Sequence, residues 1–514
     1  MPVCNLLLLL LIGTVRACDY VNNTLPPAGR QLLDFRLCHP KPIGILTTSA
    51  GRPVDPRETT TINNDGLTSN EFLLDHMLHF DAERVPERIV HAKGAGAFGY
   101  FEVTHDVSKY IKADVFNGIG KKTPTVVRFS TALASKGGND IARELKGFTI
   151  KFYTNEGNLD LLGLNIPVYF YPDPILFGSF IRAFKKNPST NLFDETSRWD
   201  LVTLKPTILH AFFWILSDYG IPNGYRRMDS FPIHTYEIKN EHGDTYYAKF
   251  NFRTEQGFEN LTTAEAAAIT AQDLDYSIRD LYNNIALKNY PSWRLEMDIL
   301  SLDDIKNVDY NPFDVTRLWK NGTYHTVQIG RLVLDRNPDN FFRAVELSAY
   351  NPGSLVPGIN NPPDTLFKGR RLFYRDTHNY RLGINHDRIE VNTPKYAKTY
   401  NRDGRPPVED NMKDAPNYFP NSFNGPIPVV DETRPKERMI VFESNAVDLE
   451  PSSNFYRYVL SDEGQKQRFI DNIVLSLVPV ITEVQKKVLR LLTLTDPELG
   501  RRVRAGLKAA IAAK

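Results

Sequence analysis

Arg370 and Tyr374 lie four residues apart in the segment Gly369-Arg370-Arg371-Leu372-Phe373-Tyr374-Arg375-Asp376. In a helix that spacing puts guanidinium and phenol on one face, and Arg381, seven residues beyond Tyr374, joins them there. A phenol with a pKa of about 10 binds ferric iron as the phenolate. A neighbouring guanidinium favours that charged form. Earlier in the chain, Arg128 and Ser130 sit two apart in Thr125-Val126-Val127-Arg128-Phe129-Ser130. That run is strand-like, so both project from the same face. His91 precedes them in Val85-Pro86-Glu87-Arg88-Ile89-Val90-His91. An imidazole near neutrality can take a proton and give it back, which is general acid–base chemistry. Taken alone, each pattern also fits a plainer reading: an amphipathic surface helix, a pair of solvent-facing arginines, a hydrogen-bonded core histidine.

Gly94-Ala95-Gly96-Ala97-Phe98-Gly99 matches the dinucleotide pattern G-x-G-x-x-G. That site needs a strand before the glycines and a helix after them. Tyr100-Phe101-Glu102-Val103-Thr104-His105 is strand-like instead, so the glycines are expected to admit a bulky neighbour to the backbone rather than a pyrophosphate.

The elements expected to carry these groups come in blocks. Short apolar runs separated by turn signals between residues 85 and 175, with Phe148-Thr149-Ile150-Lys151-Phe152-Tyr153 as a further strand, predict an antiparallel sheet or barrel. Residues 19–70 are rich in Pro, Thr, Asn and Gly and predict an extended arm. Residues 261–285 are expected to be helical, and so are residues 464–512 with a break at Pro479. Residues 391–436 hold many prolines and few apolar residues and are expected to wrap over another surface, such as a neighbouring subunit.

The chain has 514 residues, long enough for more than one structural unit. Lys+Arg 62 against Asp+Glu 61 leaves a formal net charge of +1, which offers no attraction to nucleic acid or an anionic membrane, so a small-molecule partner is expected. Leu6 to Ile12 is apolar, and Val15-Arg16-Ala17 provides small residues for cleavage after Ala17. This reads as a signal peptide, although no Lys or Arg precedes the apolar run, and that run is too short to span a bilayer. In a secreted chain Cys18 and Cys38 would remain as a possible disulfide, worth about 3 kcal/mol on the loop-entropy model, with a free thiol as the alternative. N-x-Thr sequons begin at Asn22, Asn260 and Asn321.

The segment Val85 to Gly96 closely resembles the distal segment of monofunctional haem catalases, and Gly369 to Gly383 resembles their proximal helix. Ile329-Gly330-Arg331-Leu332-Val333-Leu334-Asp335-Arg336-Asn337-Pro338 is a further matching block, and the resemblance runs from about residue 40 to 505. It implies an α+β catalase fold. A signal peptide at 1–17 and an N-terminal arm at 18–75 would precede an antiparallel β-barrel haem domain at 76–335. A proximal helix and wrapping segment at 336–450 would follow, then a C-terminal helical domain at 451–514.

The resemblance also assigns roles. Tyr374 would be the ligand of haem iron, the arrangement of catalases among haem proteins. His91 would be the distal acid–base residue, oriented by Ser130. Arg88, Arg128 and Arg381 match haem-binding arginines, Val90 and Phe177 match pocket positions, and Asp364, His234 and Arg370 would form a network behind Tyr374. Tyr169 replaces the usual pocket Phe. Gly157 to Pro167 aligns without gaps to the family's distal asparagine segment, but that asparagine is replaced by Leu164, while Asn165 is expected to point the other way along a strand. His210 and Trp319 match an NADPH site that some catalases carry, but Tyr219 and Asn321 depart from it, which counts against NADPH. The expected activity is conversion of two hydrogen peroxide molecules to water and oxygen by a homotetramer. Leu164 leaves two alternatives open: turnover of organic or lipid hydroperoxides, and a secreted haem-binding protein with little catalysis.

Overall fold

The computed structural model describes residues 26–55, 70–406, 411–431 and 446–513. The expected signal peptide, Cys18 and Asn22 lie outside the described residues. Two compact units are present, Met1–Val85 and Pro86–Lys514.

The first unit departs from the extended arm expected of it. Gln31–Cys38 and Glu71–Ala82 are helices, the second capped by the Asn70 side chain, which accepts from the Leu73 amide at 2.9 Å. Gln-Leu-Leu-Asp-Phe-Arg-Leu is a run of good helix formers, which the surrounding Pro, Thr and Gly hide when composition is averaged over the whole segment. Asn70 is the one buried residue described in this unit. Cys38 is disulfide-bonded.

Among the described residues the second unit is built on nine strands: β1 Gly94–Val103, β2 Lys122–Thr131, β3 Lys146–Thr154, β4 Gly157–Leu164, β5 Tyr236–Lys239, β6 Thr245–Thr254, β7 Ser292–Ser301, β8 His325–Arg336 and β9 Ile359–Asn360. They pair antiparallel in the order β4-β3-β2-β1-β8-β7-β6-β5-β9. The sheet curls back on itself. Ser230 pairs with Phe252 of β6 while Phe231 pairs with Leu164 of β4, so one short segment links the β4 edge to the far side. The interior is filled by alternate residues of the strands, among them Phe101, Phe129, Phe148, Phe152, Phe252 and Trp293, all essentially solvent-free. This is the antiparallel barrel that the strand patterns predict.

The G-x-G-x-x-G glycines lie inside β1, which removes the dinucleotide reading. Their neighbour is the chain itself. A Cβ on Gly99 would come within 1.9 Å of the Val333 carbonyl, at the place where the β1–β8 register shifts.

Helices cover the β4 end of the barrel. Phe177–Phe184, Glu195–Leu204 and Leu209–Leu216 pack with Glu463–Leu477, Thr482–Thr495 and Pro497–Ala512 around one apolar core that includes Leu164 and Leu366. The predicted C-terminal helical stretch breaks at Pro479, as expected, and again at Asp496, whose carboxylate accepts from the Glu498 and Leu499 amides and so starts a new helix. The helix expected over 261–285 is two, Thr263–Thr270 and Tyr276–Ala286, because the Asp273 side chain turns back to the Asp275 amide between them. Between residues 391 and 431 the described stretches form turns and bends apart from the short 3-10 helix Glu390–Asn392. Among the described residues no helix is long and apolar enough to cross a membrane.

Candidate active site

One rung of the sheet sets up one wall of the site. Gly94 on β1 faces Ser130 on β2, Ser130 faces Gly147 on β3, and Gly147 faces Leu164 on β4. Opposed residues of antiparallel strands project to the same side. That side is a cavity of about 1640 Å³, counting its mouth, bordered by His91, Ser130, Gly147, Leu164, Tyr169, Arg370 and Tyr374. Asn165, one residue on, turns away as alternation requires: its side chain accepts from the Lys146 amide at 2.8 Å and donates to the Tyr219 carbonyl at 3.0 Å.

His91 precedes the rung in a left-handed backbone conformation, φ 61°, which a histidine adopts only when held there. Its N–H donates to the Ala132 carbonyl at 2.9 Å, and its own carbonyl accepts from Arg128 at 2.8 Å. Nδ1 lies 2.9 Å from the Ser130 hydroxyl. Burial, reinforced by Arg128, Arg370 and Arg88, pushes its pKa down to about 3, far from the near-neutral imidazole expected of a proton shuttle. The ring is therefore neutral and able to accept a proton across the physiological range. Anions held by Arg128 and Arg88 would relieve part of the depression.

Gly147 is needed opposite this pair. A Cβ there would meet Ser130 Oγ at 2.6 Å and His91 Nδ1 at 2.9 Å. Gly147→Ala should displace the imidazole and lower peroxide turnover by more than 10-fold, with haem content nearly unchanged. Turnover kinetics beside the haem absorption band checks this, and full activity in the variant would show that the added methyl does not move His91.

The second wall comes from the helix Thr365–Leu382, 18 residues long and started by Asp364, whose Oδ1 accepts from the Phe367 amide at 2.8 Å. Arg370 and Tyr374 share a face, as their spacing predicts. Arg370 Nη2 donates to the Tyr374 hydroxyl at 3.5 Å, and Nη1 donates to His234 Nε2 at 2.7 Å. His234 in turn donates from Nδ1 to Asp364 at 2.9 Å. Burial lowers the pKa of His234 although Asp364 opposes it, so its Nε2 stays free to accept from Arg370. Burial would raise Asp364, but His234, the Phe367 amide and Arg370 outweigh it and hold the carboxylate charged. The network expected behind Tyr374 is therefore present: a fixed carboxylate orients a neutral imidazole, which orients a guanidinium beside the phenol.

Three arginines meet at the same cavity with too little negative charge. Arg88 and Arg128 border it; Arg381 lies behind, donating to the Glu346 side chain at 3.3 Å and to the Pro86 carbonyl. Glu346 also faces Arg88 at 3.6 Å and Lys136 at 3.4 Å. Burial, and then Arg128 and Arg381, depress the Arg88 pKa. Arg88 Nη1, Arg128 Nε and Arg381 Nη1 are buried without a hydrogen-bond partner among the described residues. Buried guanidinium nitrogens left unpaired are costly, so this cluster fits a ligand carrying two carboxylates in its vicinity. A haem carries two, and the Tyr374 phenol borders the same cavity.

Val90 and Phe177 border the cavity, and Phe177 stacks on Phe373 with ring centroids 5.4 Å apart. Sequence reasoning passed over His378 and Tyr350. His378 borders the cavity one turn beyond Tyr374, donates to the Tyr350 carbonyl at 2.8 Å, and is pushed down to about 3 by burial. Its i,i+4 relation to Tyr374 was the available signal. Burial raises the Tyr350 phenol.

A second cavity is bordered by Asn165, Trp214, Tyr219, Lys249, Arg253, Trp319 and Asn321. His210 stands behind it, accepting from Trp214 at 3.3 Å and donating to the Thr316 carbonyl at 2.7 Å, with burial lowering its pKa to about 4. Tyr219 and Asn321, the two departures from an NADPH site, both border this cavity.

The buried histidines make acid stability testable. His91, His210 and His378 have folded-state pKa values of about 3, 4 and 3, below the unfolded value of about 6.5. Between those limits the unfolded chain binds more protons. Stability contributed by the neutral rings is thus present above pH 6.5 and lost as pH falls, by about 1.4 kcal/mol per pH unit for each ring. Urea midpoints should drop from pH 6.5 to 4.5. Midpoints that stay level over that range would mean the rings are accessible to protons in the folded state.

The family model described as Catalase matches residues 47–425, and a second, Catalase-related immune-responsive, matches residues 452–507. The catalase of Glandirana rugosa is 43% identical over 471 residues, covering 90% of this chain and 89% of its own. That of Drosophila melanogaster is 41% identical over 505 residues, covering 95% and 99%. Among solved structures, catalase A from Saccharomyces cerevisiae superimposes with a TM-score of 0.85 at 34% identity over 90% of this chain and 99% of that one. A bacterial catalase gives 0.86 at 34% identity over 92% and 97%. With the Tyr374 network, the His91–Ser130 pair and the curled antiparallel sheet in place, these matches show that the chain belongs to the catalase family.

Proposed function

We propose that this chain is a haem enzyme that decomposes hydrogen peroxide, two molecules giving two of water and one of oxygen. The carrying observation is that a neutral, pinned imidazole and an arginine-backed phenol border one cavity. When bound, haem supplies a redox-active iron able to exchange two electrons with peroxide. Tyr374 would hold the iron, and Arg88, Arg128 and Arg381 would balance the two carboxylates. Arg370 donates to the Tyr374 oxygen, and His234 and Asp364 fix Arg370. His91 takes a proton from one peroxide oxygen and returns it to the other. Its Nδ1 is held by Ser130, which leaves Nε2 as the proton-carrying atom. Leu164 offers no donor beside them, so turnover is expected below that of a site with asparagine there.

Purified protein should show a haem absorption band and release oxygen from hydrogen peroxide. Absence of the band overturns the reading. A second reading, turnover of organic hydroperoxides, is favoured by the apolar border that Leu164 shares with Phe170, Phe180, Phe184 and Ile215. Assaying hydrogen peroxide and an alkyl hydroperoxide side by side separates the two. Export through the 1–17 leader and assembly as a homotetramer belong to the same proposal. Leu6 to Ile12 supports the first and family membership supports the second. N-terminal sequencing of protein recovered from the culture medium and its solution mass test them.

A further inference from the structure

We propose that Asn321 is an N-glycosylation site and that Asn260 is not, so that a glycan stands at the rim of the second cavity; this rests on the export reading above. Asn321-Gly322-Thr323 occupies an exposed turn closed by the Thr323 amide donating to the Lys320 carbonyl at 3.2 Å. Gly322 takes the left-handed position, φ 84°, with nothing within 4 Å of where a Cβ would stand. The Asn321 amide nitrogen donates to no described residue, and its oxygen has only a 3.5 Å contact from the Tyr324 hydroxyl.

Asn260 is built in. It pairs with Pro222 in a short antiparallel bridge, and its side-chain oxygen is buried without a partner among the described residues. A glycan is attached while the chain is still folding, so the folded structure decides which glycan it can keep outside. Asn321 can keep one in solvent. Asn260 could do so only by turning its half-buried side chain outward.

The donor class is an oligosaccharide linked through pyrophosphate to a lipid. The Asn321 amide nitrogen forms a bond to C1 of the first N-acetylglucosamine, the C1–oxygen bond to pyrophosphate breaks, the lipid pyrophosphate leaves, and the amide proton passes to base. No redox change is involved. The glycan then borders the cavity of Trp214, Tyr219, Lys249 and Trp319 and stands in the way of a nucleotide-sized ligand.

The test expresses the full mature chain behind a heterologous secretion leader in eukaryotic cells. Peptide N-glycosidase in oxygen-18 water then converts each glycosylated Asn to labelled Asp, which peptide mass mapping reads. Label at Asn321 and none at Asn260 is expected. An unlabelled Asn321, or label at Asn260, overturns the proposal. Thr323→Ala should remove the Asn321 label and Thr323→Ser should keep it, while peroxide turnover stays unchanged in both. A second expression with the chain's own leader reads export alone. Retention in the cell there, with Asn321 labelled under the heterologous leader, rejects the export reading and leaves the acceptor assignment standing.

Discussion

Tyr374→Phe should abolish peroxide turnover by stripping the protein of haem while leaving the fold intact. The phenol oxygen has one described hydrogen bond, from Arg370 at 3.5 Å, so its removal deletes little beyond the ligand atom. The ring that remains fills the same volume, and near-isosteric exchanges of this kind cost under about 1.5 kcal/mol. Changes in groups that merely support a metal ligand lower affinity by about 10–100-fold. Loss of the ligand itself should exceed that, with the haem absorption band lost on gel filtration and oxygen release near background. The thermal midpoint of the haem-free variant should match that of haem-free parent protein. Full haem occupancy with an unaltered spectrum would mean that another group holds the iron.

Leu164→Asn should raise turnover of hydrogen peroxide by about 10²–10³, the usual size of one well-placed donor in a transition state. Position 164 shares its rung with Ser130 and Gly147, so the new amide would project into the cavity that His91 borders. The gain should appear in kcat rather than KM, because the donor acts as the O–O bond polarises. If the cavity has repacked around a larger apolar substrate, the amide finds no partner and costs about 1–3 kcal/mol of stability instead. Turnover of hydrogen peroxide that stays flat, with a fall for an alkyl hydroperoxide, would transfer the assignment to the organic substrate.

Much of this site could be read from residue order because its parts are local. The i,i+4 spacing of Arg370 and Tyr374 survives as a shared helix face, and strand alternation correctly sends Asn165 away from Leu164. What spacing could not convey was environment. The expected near-neutral His91 is depressed to about 3 because burial and three arginines converge on it from β2, the helix Thr365–Leu382 and the segment before β1. Glu346 and Tyr350 were illegible for the same reason: they come from a stretch whose role depends on contacts more than 200 residues away, such as Arg88 donating to the Glu346 carbonyl. The break at Asp496 was missed because a cap inside a long helical period reads as one more polar surface residue, and the helix Gln31–Cys38 because its surroundings dominate the composition.

The rung Gly94–Ser130–Gly147–Leu164 also bears on how such an enzyme can change over generations. Its backbone pairing is indifferent to which side chain stands at the β4 position, since ladder hydrogen bonds come from the main chain. The residue there can be exchanged while strand order, register and the pinned imidazole persist. A lineage can trade a hydrogen-bond donor for an apolar surface at one address without redrawing the strand ladder, at a cost confined to the packing around that one side chain.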